Sequence, residues 1–285
     1  MSTINSLKSL IQRNPYSEDI ARYVAVVADF VQTHPRTSFY GAGAVVITVL
    51  SCAFGKDVKQ RIFVWINSKS DKIKGSKYNE YREKLVAPLR DLESHDPELR
   101  KEKSIKILEI GVGCGSNFKN YPKGSQLVLV DPNPHFAKQF TEKLTGDFKI
   151  KPEDIIVSTG EEMDMVPDAS VDAVVVSLVL CSVSDIAKVT QQVYRVLVPG
   201  GKFLFMEHIR EWDTKKYRAR RFIQSLLTVT RIWPFLFEGC SLNRDPLPII
   251  KGAGFSRVEE EYFYAPILYT VFKLCSPHVI GVATK

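Results

Sequence analysis

Apolar and polar positions follow a repeating order from Ile105 onward, in which a short apolar run leads into a turn and then into a stretch with helical spacing. Such runs predict strands, and the stretches between them predict helices. The predicted strands are 105–111, 126–131, 154–158, 171–177 and 202–208, with a closing antiparallel strand over 278–285, and the clearest predicted helices are 135–144 and 184–197. This order is typical of an α/β domain whose mostly parallel sheet has helices on both faces. Ligands of such sheets bind beyond the carboxyl ends of the strands.

A different pattern marks the N-terminal part of the chain. Residues 37–55 contain no charged side chain, and these 19 residues are close to the roughly 20 that a helix needs to cross a bilayer. They predict a membrane anchor, either spanning or monotopic, with a buried helix as the alternative. We therefore divide the chain into a polar arm (1–36), the anchor (37–55), a basic helical linker (56–103) and a catalytic domain (104–285).

Charge and composition narrow the possible functions. The chain of 285 residues is 45% hydrophobic and 25% charged, as in ordinary globular proteins, which excludes collagen-like and disordered classes. Two basic stretches, 56–77 and 210–231, each carry seven cations against two acids. The first follows the anchor, which by the positive-inside rule predicts that the downstream chain faces the cytosol. Neither stretch carries a nucleic-acid motif, so we expect no nucleic-acid partner, and the charge favours an anionic surface such as a membrane.

The five cysteines are widely spaced and form no C-x-x-C pair. They indicate neither a disulfide framework nor a zinc site, so we expect reduced thiols and no metal.

A glycine-rich turn follows the first predicted strand, in the sequence Glu109-Ile-Gly111-Val-Gly113-Cys-Gly115. A phosphate-binding P-loop is excluded because no Gly-Lys-Ser/Thr follows. A dinucleotide fingerprint requires its third glycine one residue later, which leaves the nucleoside of S-adenosylmethionine as the third interpretation. In either nucleoside interpretation Asp131, at the end of the second strand, accepts hydrogen bonds from ribose hydroxyls.

The chain resembles the class I methyltransferases in this turn, in the strand end at Asp131, in V-P-D-A-S-V-D (166–172) and in R-V-L-V-P-G-G (195–201). It resembles more closely the methyltransferase-like protein 7 group, the membrane-associated thiol S-methyltransferases. The segments that carry this second resemblance are 108–122, 130–136, 177–183, 194–208, 238–244 and 276–285. The resemblance implies a Rossmann-like sheet, S-adenosyl-L-methionine as cofactor, a small apolar thiol as substrate, and a place on the cytosolic face of the endoplasmic reticulum or on lipid droplets.

Transferred position by position, the resemblance also implies the cofactor contacts. They are Glu109, Gly111, Gly113, Gly115, Asp131, Gly160, Glu161, Ser177 and Leu178. Thr159 stands where many relatives carry an acid that faces the adenine, so we expect the backbone near Gly160 and Glu161 to recognise that ring.

Methyl transfer to sulfur requires little more than alignment, since a thiol is already partly ionised near neutral pH. His208 ends the fifth strand and His278 begins the closing strand, so both are expected at one edge of the sheet as candidate bases, with purely structural roles as the alternative. Asp131 is the third candidate catalytic residue, because it is expected to bind the cofactor. We expect Cys114 and Cys181 to pack as small apolar residues near the site without a catalytic role.

One further apolar stretch, residues 222–237, lies beyond the fifth strand. It predicts either a core-covering helix or an apolar lid through which hydrophobic thiols enter from a membrane. Two other functions stay open: a lipid or quinone methyltransferase acting on carbon or oxygen, and a non-catalytic membrane-surface protein with a vestigial pocket.

Overall fold

The computed structural model describes residues 57, 59–61, 63–65, 67–68, 77–141, 143–144, 146–267 and 271–285. The chain divides into two compact units, 1–63 and 64–285. The predicted polar arm and membrane anchor lie outside the described residues. Within those residues, no helix combines the length and the apolar character that crossing a bilayer requires.

A sheet of seven strands organises the second unit. Its strands are β1 (Lys106–Ile110), β2 (Gln126–Val130), β3 (Ile155–Ile156), β4 (Val171–Ser177), β5 (Leu197–His208), β6 (Arg257–Tyr264) and β7 (Pro277–Thr284). They lie in the order β3-β2-β1-β4-β5-β7-β6. The first five strands are parallel to one another, whereas β7 is antiparallel to both of its neighbours.

From residue 77 onward, the α-helices of the described residues are α1 (Lys77–Val86), α2 (Pro97–Lys101), α3 (Phe136–Thr141), α4 (Ile186–Val196), α5 (Arg218–Val229), α6 (Ile232–Leu236) and α7 (Leu247–Lys251). The helices predicted over 135–144 and 184–197 are present as the shorter α3 and α4. The α4 helix begins where the Asp185 carboxylate accepts hydrogen bonds from the amides of Ala187 and Lys188.

Both faces of the sheet centre are covered. Every residue of β4 from Val171 to Val176 is buried, and so are the last four residues of β1. Because successive side chains of a strand point to opposite faces, continuous burial requires packing on both sides. The predicted mostly parallel sheet with cover on both faces is thereby confirmed.

The antiparallel end of the sheet differs from the prediction. The strand predicted over 278–285 is present as β7, but it does not close the sheet, because β6 pairs with its outer side. The sequence pattern did not reveal β6: its charged residues Glu259, Glu260 and Glu261 mask the alternation, as is common for an edge strand.

Residues assigned to the linker pack into the same compact unit as the sheet. Tyr78 and Leu85 of α1 are each only 1% exposed. Asp172 of β4 accepts hydrogen bonds from the Ser94 hydroxyl at 2.7 Å and from the backbone amide of Lys106 at 2.7 Å. The compact unit therefore extends toward the N-terminus beyond the predicted boundary at residue 104.

Candidate functional site

The register of the parallel strands aligns the predicted site residues in one row. Ile110 of β1 is paired with Val130 of β2 and with Val176 of β4, and Val176 is paired with Phe205 of β5. The residues that follow these four positions therefore emerge at one edge of the sheet. They are Gly111, Asp131, Ser177 and Met206.

The glycine-rich turn has the backbone that its sequence requires. Gly111, Gly113 and Gly115 have φ angles of +70°, +53° and +65°, a region that side chains other than glycine rarely adopt. A Cβ atom at Gly111 would lie 2.2 Å from Cγ2 of Val179, whereas a Cβ at Gly113 would meet nothing within 4 Å. Open space therefore adjoins Gly113, which leaves the backbone of the turn accessible to a ligand.

Asp131 is held against this turn. Its Oδ2 accepts a hydrogen bond from the Gly113 amide at 2.9 Å, and its Oδ1 accepts one from the Asn133 amide at 2.9 Å. Burial raises the pKa of Asp131, although these two amides act in the opposite direction. Since each carboxylate oxygen can accept more than one hydrogen bond, both oxygens keep capacity for ribose hydroxyls.

Glu109 lies buried below the turn. Its Oε1 accepts a hydrogen bond from the Asn117 side-chain amide at 2.8 Å. Burial raises the pKa of Glu109 to about 7, against the lowering influence of Asn117 and of the Tyr121 hydroxyl. Near neutral pH this carboxyl group therefore exchanges between its neutral and charged forms.

Gly160 and Glu161 have structural contacts that the sequence did not reveal. A Cβ atom at Gly160 would lie 3.0 Å from Cγ2 of Ile110, so this position packs closely on β1. Oε1 of Glu161 accepts hydrogen bonds from the amides of Ser184 and Asp185, where α4 begins. The side chain of Glu161 is thus engaged in holding a helix, and its role toward the adenine stays a prediction.

The loop after β4 is strained and anchored. Leu178 has a positive φ of +61°, which is unusual for a residue with a side chain, and its amide donates to the Met206 carbonyl at 2.9 Å. The next amide, that of Val179, donates to Oε1 of Glu207 at 2.8 Å. Burial raises the pKa of Glu207 to about 7, although the amides of Val179 and Leu180 lower it. Glu207, which sequence reasoning did not single out, fixes the loop that follows Ser177 and Leu178.

The two candidate histidines are brought together. His208 and His278 are direct partners across β5 and β7, and their ring centroids lie 6.3 Å apart. The prediction that both lie at one edge of the sheet is confirmed. Their role as bases stays a prediction.

Hydrogen bonds fix the protonation pattern of His278. Its Nδ1 lies 3.0 Å from the Ser276 carbonyl oxygen, which can only accept, so Nδ1 carries the proton. In the neutral ring Nε2 then has no proton and can only accept, so the Tyr78 hydroxyl, 3.2 Å away, donates to it. Tyr78 of α1 is a second residue of this site that the sequence analysis missed.

His208 lies beside two cysteines. Its Nε2 is 3.1 Å from Sγ of Cys240. The Sγ of Cys181 lies within 4.8 Å of the Cys240 Sγ and of a ring nitrogen of His208. The neighbouring Cys240 thiol, together with burial, raises the pKa of Cys181. No metal-ligand spacing is visible in the sequence because these three residues come from three separate segments, and only the fold makes them neighbours.

Comparison with known proteins agrees with this geometry. Residues 108–205 match the methyltransferase domain family. The human thiol S-methyltransferase TMT1A is 37% identical over 207 residues, which cover 72% of this chain and 81% of the relative. The chain belongs to the thiol S-methyltransferase family. The mouse thiol S-methyltransferase TMT1B is likewise 37% identical, over 71% of this chain and 80% of its own length.

Solved structures confirm the fold of this thiol S-methyltransferase family member. A methyltransferase of Thermotoga maritima, described as S-adenosylmethionine-dependent and as a possible histamine N-methyltransferase, superposes with a TM-score of 0.52. The two chains are 16% identical, and the match covers 79% of this chain and 97% of the other. The predicted class I methyltransferase fold is confirmed for the described residues.

The site fits S-adenosyl-L-methionine. Three features match the nucleoside of this cofactor. They are the open space beside Gly113, the spare acceptor capacity of Asp131, and a turn after β1 whose glycines have no side chain to block a ligand. Asp131 and the turn would hold the ribose, and the strained loop at Ser177 and Leu178 lies two strands away at the same edge, on the side of the two histidines.

Proposed function

We propose that this protein is an S-adenosyl-L-methionine-dependent methyltransferase that methylates the thiol of small apolar molecules. The observation that carries the proposal is the single row formed by the glycine turn, Asp131 and the strand ends of β4 and β5. This row brings the nucleoside-binding groups and the two histidines to one edge of the sheet. The relatives named thiol S-methyltransferases support sulfur as the acceptor atom.

The side chains have two tasks in this reaction: they align the reactants and they help the thiol to ionise. When bound, S-adenosylmethionine supplies a methyl group on a positively charged sulfur, which the substrate sulfur takes in an in-line displacement. Alignment dominates such a step, and a thiol with a free pKa near about 8.5 needs only modest help to ionise. Asp131 and the glycine turn orient the methyl donor, and the loop held by Glu207 shapes the space around the reacting atoms.

The hydrogen bonds of His278 determine where a proton from the substrate can bind. Because Nδ1 of His278 donates to the Ser276 carbonyl, any proton that this ring takes up has to bind at Nε2. That atom accepts a hydrogen bond from Tyr78, so proton uptake requires Tyr78 to rotate away or to donate elsewhere. His278 can therefore accept a thiol proton only together with a rearrangement of Tyr78.

Product analysis tests the proposed reaction. The full chain is incubated with methyl-labelled S-adenosylmethionine and matched alkyl thiols, phenols and quinones, and the labelled products are separated. We expect label in thioethers, and we expect the Asp131→Ala variant to lose cofactor binding by calorimetry while keeping its thermal unfolding transition. Labelled phenol ethers or C-methylated quinones in place of thioethers would refute sulfur as the acceptor.

The helix α5 supports a membrane surface as a partner, because its buried side is polar and its exposed side is apolar. Its buried residue is polar: Gln224 is 0% exposed, accepts a hydrogen bond from the Glu211 amide and donates to the Leu274 carbonyl. Arg220 pairs with the buried Glu211 carboxylate at 2.8 Å. The hydrogen bonds that attach α5 to the domain thus use its polar side.

The opposite side of α5 is apolar and exposed. Phe222 is 67% exposed, Leu226 48% and Val229 77%, at the i, i+4, i+7 spacing of one helix face, and Ile232 follows with 53%. Exposed cations flank this stripe at Lys215, Lys216, Arg218 and Arg231. An apolar stripe flanked by cations suits the interface of an anionic membrane, where apolar thiols also accumulate. Of the two predictions for residues 222–237, these exposures favour the apolar lid.

A kinetic comparison tests this surface. In the full chain, Phe222→Glu combined with Val229→Glu is expected to raise KM for a long-chain thiol presented in anionic vesicles by at least tenfold. KM for a short water-soluble thiol is expected to stay within twofold. Val157→Glu, at a residue 57% exposed outside the helix, is the matched control. Equal changes for both thiols would contradict substrate entry from the membrane.

We further propose that residues 37–55, together with this surface, hold the enzyme on the cytosolic face of an internal membrane, either the endoplasmic reticulum or lipid droplets. The uncharged segment and the basic stretch after it support this location. Deleting residues 1–55 is expected to make the protein extractable by high salt. Retention of the deleted form through a carbonate wash would place the anchor elsewhere.

A further inference from the structure

Two thiols and an imidazole meet at the carboxyl edge of the sheet. The Sγ atoms of Cys181 and Cys240 and a ring nitrogen of His208 all lie within 4.8 Å of one another. All three residues are buried, with exposures of 4%, 8% and 5%. Such a group is unlike the exposed acidic clusters that are common on protein surfaces.

The backbone holds these three residues in place. His208 is the last residue of β5 and is paired with β7. The Ser241 amide donates to the Cys181 carbonyl at 2.8 Å, which ties the segment of Cys240 directly to the loop after β4. Glu207 fixes the start of that same loop through the Val179 amide. The arrangement is therefore built by three independent connections before any ligand binds.

The donor set is that of a catalytic zinc ion. Two cysteine sulfurs and one histidine nitrogen, with a fourth position open to substrate, form one of the recognised catalytic zinc patterns. With bonds of about 2.3 Å to sulfur and about 2.0 Å to nitrogen, ligand atoms of a tetrahedral ion lie roughly 3.5–3.8 Å apart. The observed separation of 3.1 Å between Nε2 of His208 and Sγ of Cys240 needs only a small expansion.

The surroundings also suit a bound cation held by thiolates. Cys181 and Cys240 belong to an apolar cluster that includes Trp233 and Leu242. In such a setting of low polarity, the attraction between a divalent cation and two thiolates is strong. Zinc keeps its oxidation state, so the reaction needs no oxidant or reductant.

We propose that Cys181, His208 and Cys240 bind one Zn²⁺ ion whose fourth coordination position takes the sulfur of the substrate. This inference rests on the proposed thiol methylation and deepens it by naming how the thiol is activated. The substrate S–H bond breaks as the sulfur–zinc bond forms, and the proton leaves to His278 or to water. A sulfur lone pair then forms the new bond to the methyl carbon as that carbon separates from the sulfonium, which leaves a thioether, S-adenosylhomocysteine and an unchanged zinc ion.

Metal binding is measured on the full chain in detergent, apart from any assay of activity. The protein is reduced, stripped with a chelator and titrated with Co²⁺, which reports tetrahedral thiolate ligation through its charge-transfer and visible absorption bands. We expect one ion per chain for the wild type, displaced by Zn²⁺. We expect Cys181→Ser and Cys240→Ser each to weaken binding at least tenfold.

Cys275→Ser is the matched control, because it makes the same chemical change at a cysteine that is not one of the three proposed ligands. It is expected to bind Co²⁺ like the wild type. Calorimetric S-adenosylmethionine binding identifies any variant that has failed to fold, and Cys240→Ala serves as a second variant in that case. Absence of the thiolate band in the wild type overturns the proposal, as does a Cys181–Cys240 disulfide whose reduction restores no metal uptake.

The zinc proposal and the proposed function fail in different ways. If the metal-free enzyme methylates thiols at the full rate, the zinc site is refuted and the proposed function is retained. If the chain binds Co²⁺ stoichiometrically through its cysteines but forms no thioether product, the metal site is supported and the proposed function is refuted.

Discussion

The carboxylate of Asp131 accepts a hydrogen bond from the backbone amide of Gly113 at 2.9 Å, which joins the end of β2 to the middle of the glycine turn after β1. The turn is thereby held in its positive-φ conformation by the same group that is expected to bind ribose. Loss of either partner removes two functions together, the shape of the turn and the acceptor for the nucleoside.

Gly113→Ala is expected to abolish cofactor binding at a small cost in stability. The new methyl group projects into the open space beside the turn, where it meets no protein atom within 4 Å but occupies room needed by the nucleoside. The positive φ costs about 1 kcal/mol. Calorimetric titration with S-adenosylmethionine and chemical denaturation measure the two effects separately.

Gly124→Ala is the control for this prediction, since Gly124 has a φ of +83° and also open space around its Cα. We expect a similar loss of stability and unchanged cofactor affinity. If the two alanine variants bind the cofactor equally well, the nucleoside does not lie against Gly113.

Glu109 is expected to make the fold less stable as pH rises. Its pKa is about 7 in the folded protein against an ordinary value of 4.5, so at pH values between these two the unfolded chain loses a proton that the folded chain keeps. Stability from this group therefore falls from about pH 4.5 to about pH 7, by about 3 kcal/mol at most. Glu109→Gln keeps an acceptor for Asn117 and removes the titration, so its stability relative to wild type should grow over this pH range.

Denaturation curves at pH 5 and pH 8 check the prediction for Glu109. Glu162→Gln, at an exposed glutamate, is the control and should show no such trend. A pH-independent difference between Glu109→Gln and wild type would mean that Glu109 is ionised throughout.

Tyr78→Phe is expected to destabilise the protein by about 1–2 kcal/mol. The substitution removes the hydroxyl that donates to Nε2 of His278 and leaves a buried acceptor without that bond. The tautomer of His278 should not change, because Nδ1 keeps its proton and still donates to the Ser276 carbonyl oxygen. Nitrogen chemical shifts of the ring report the tautomer directly.

Tyr81→Phe serves as the comparison for Tyr78→Phe. The Tyr81 ring stacks on Phe263 with centroids 3.8 Å apart, a contact that Phe retains. We expect a change within about 0.5 kcal/mol. A wild-type spectrum with the proton on Nε2 would exclude the proposed hydrogen-bond pattern.

Asp172→Ala is expected to cost about 3 kcal/mol or more, because Asp172 accepts from the Ser94 hydroxyl and from the amides of His95 and Lys106. Three buried or half-buried donors lose their acceptor at once. Asp172→Asn keeps one acceptor oxygen and should lose less. Equal stability of Asp172→Ala and wild type in urea denaturation would show that residues 94–106 find other acceptors.

Local patterns in the sequence were sufficient for the parallel half of the sheet. Strands β1, β2 and β4 are largely apolar runs, because burial on both faces allows no alternation, and β1 and β2 are followed by a glycine and an acid, respectively. The same reasoning led to Gly113 and Asp131, since a tight turn and a ribose each require a particular residue type at a fixed place along the chain. The placement of His208 and His278 at one edge of the sheet also followed, because the end of a parallel strand and the start of an antiparallel strand lie at the same edge, but their direct pairing was decided by the fold.

Contacts between distant segments were decided only by the tertiary structure. Strand β6 carries three consecutive glutamates and is recognisable only as the partner of β7. The cluster of Cys181, His208 and Cys240 joins residues 59 positions apart, and Tyr78 reaches His278 across 200 positions. No local pattern encodes such neighbours, because their proximity results from the folding of the whole sheet and from the burial of α1 against it. The sequence by itself thus determined the glycine turn and Asp131, where chemistry and local backbone geometry coincide, and packing determined which residues surround the two histidines.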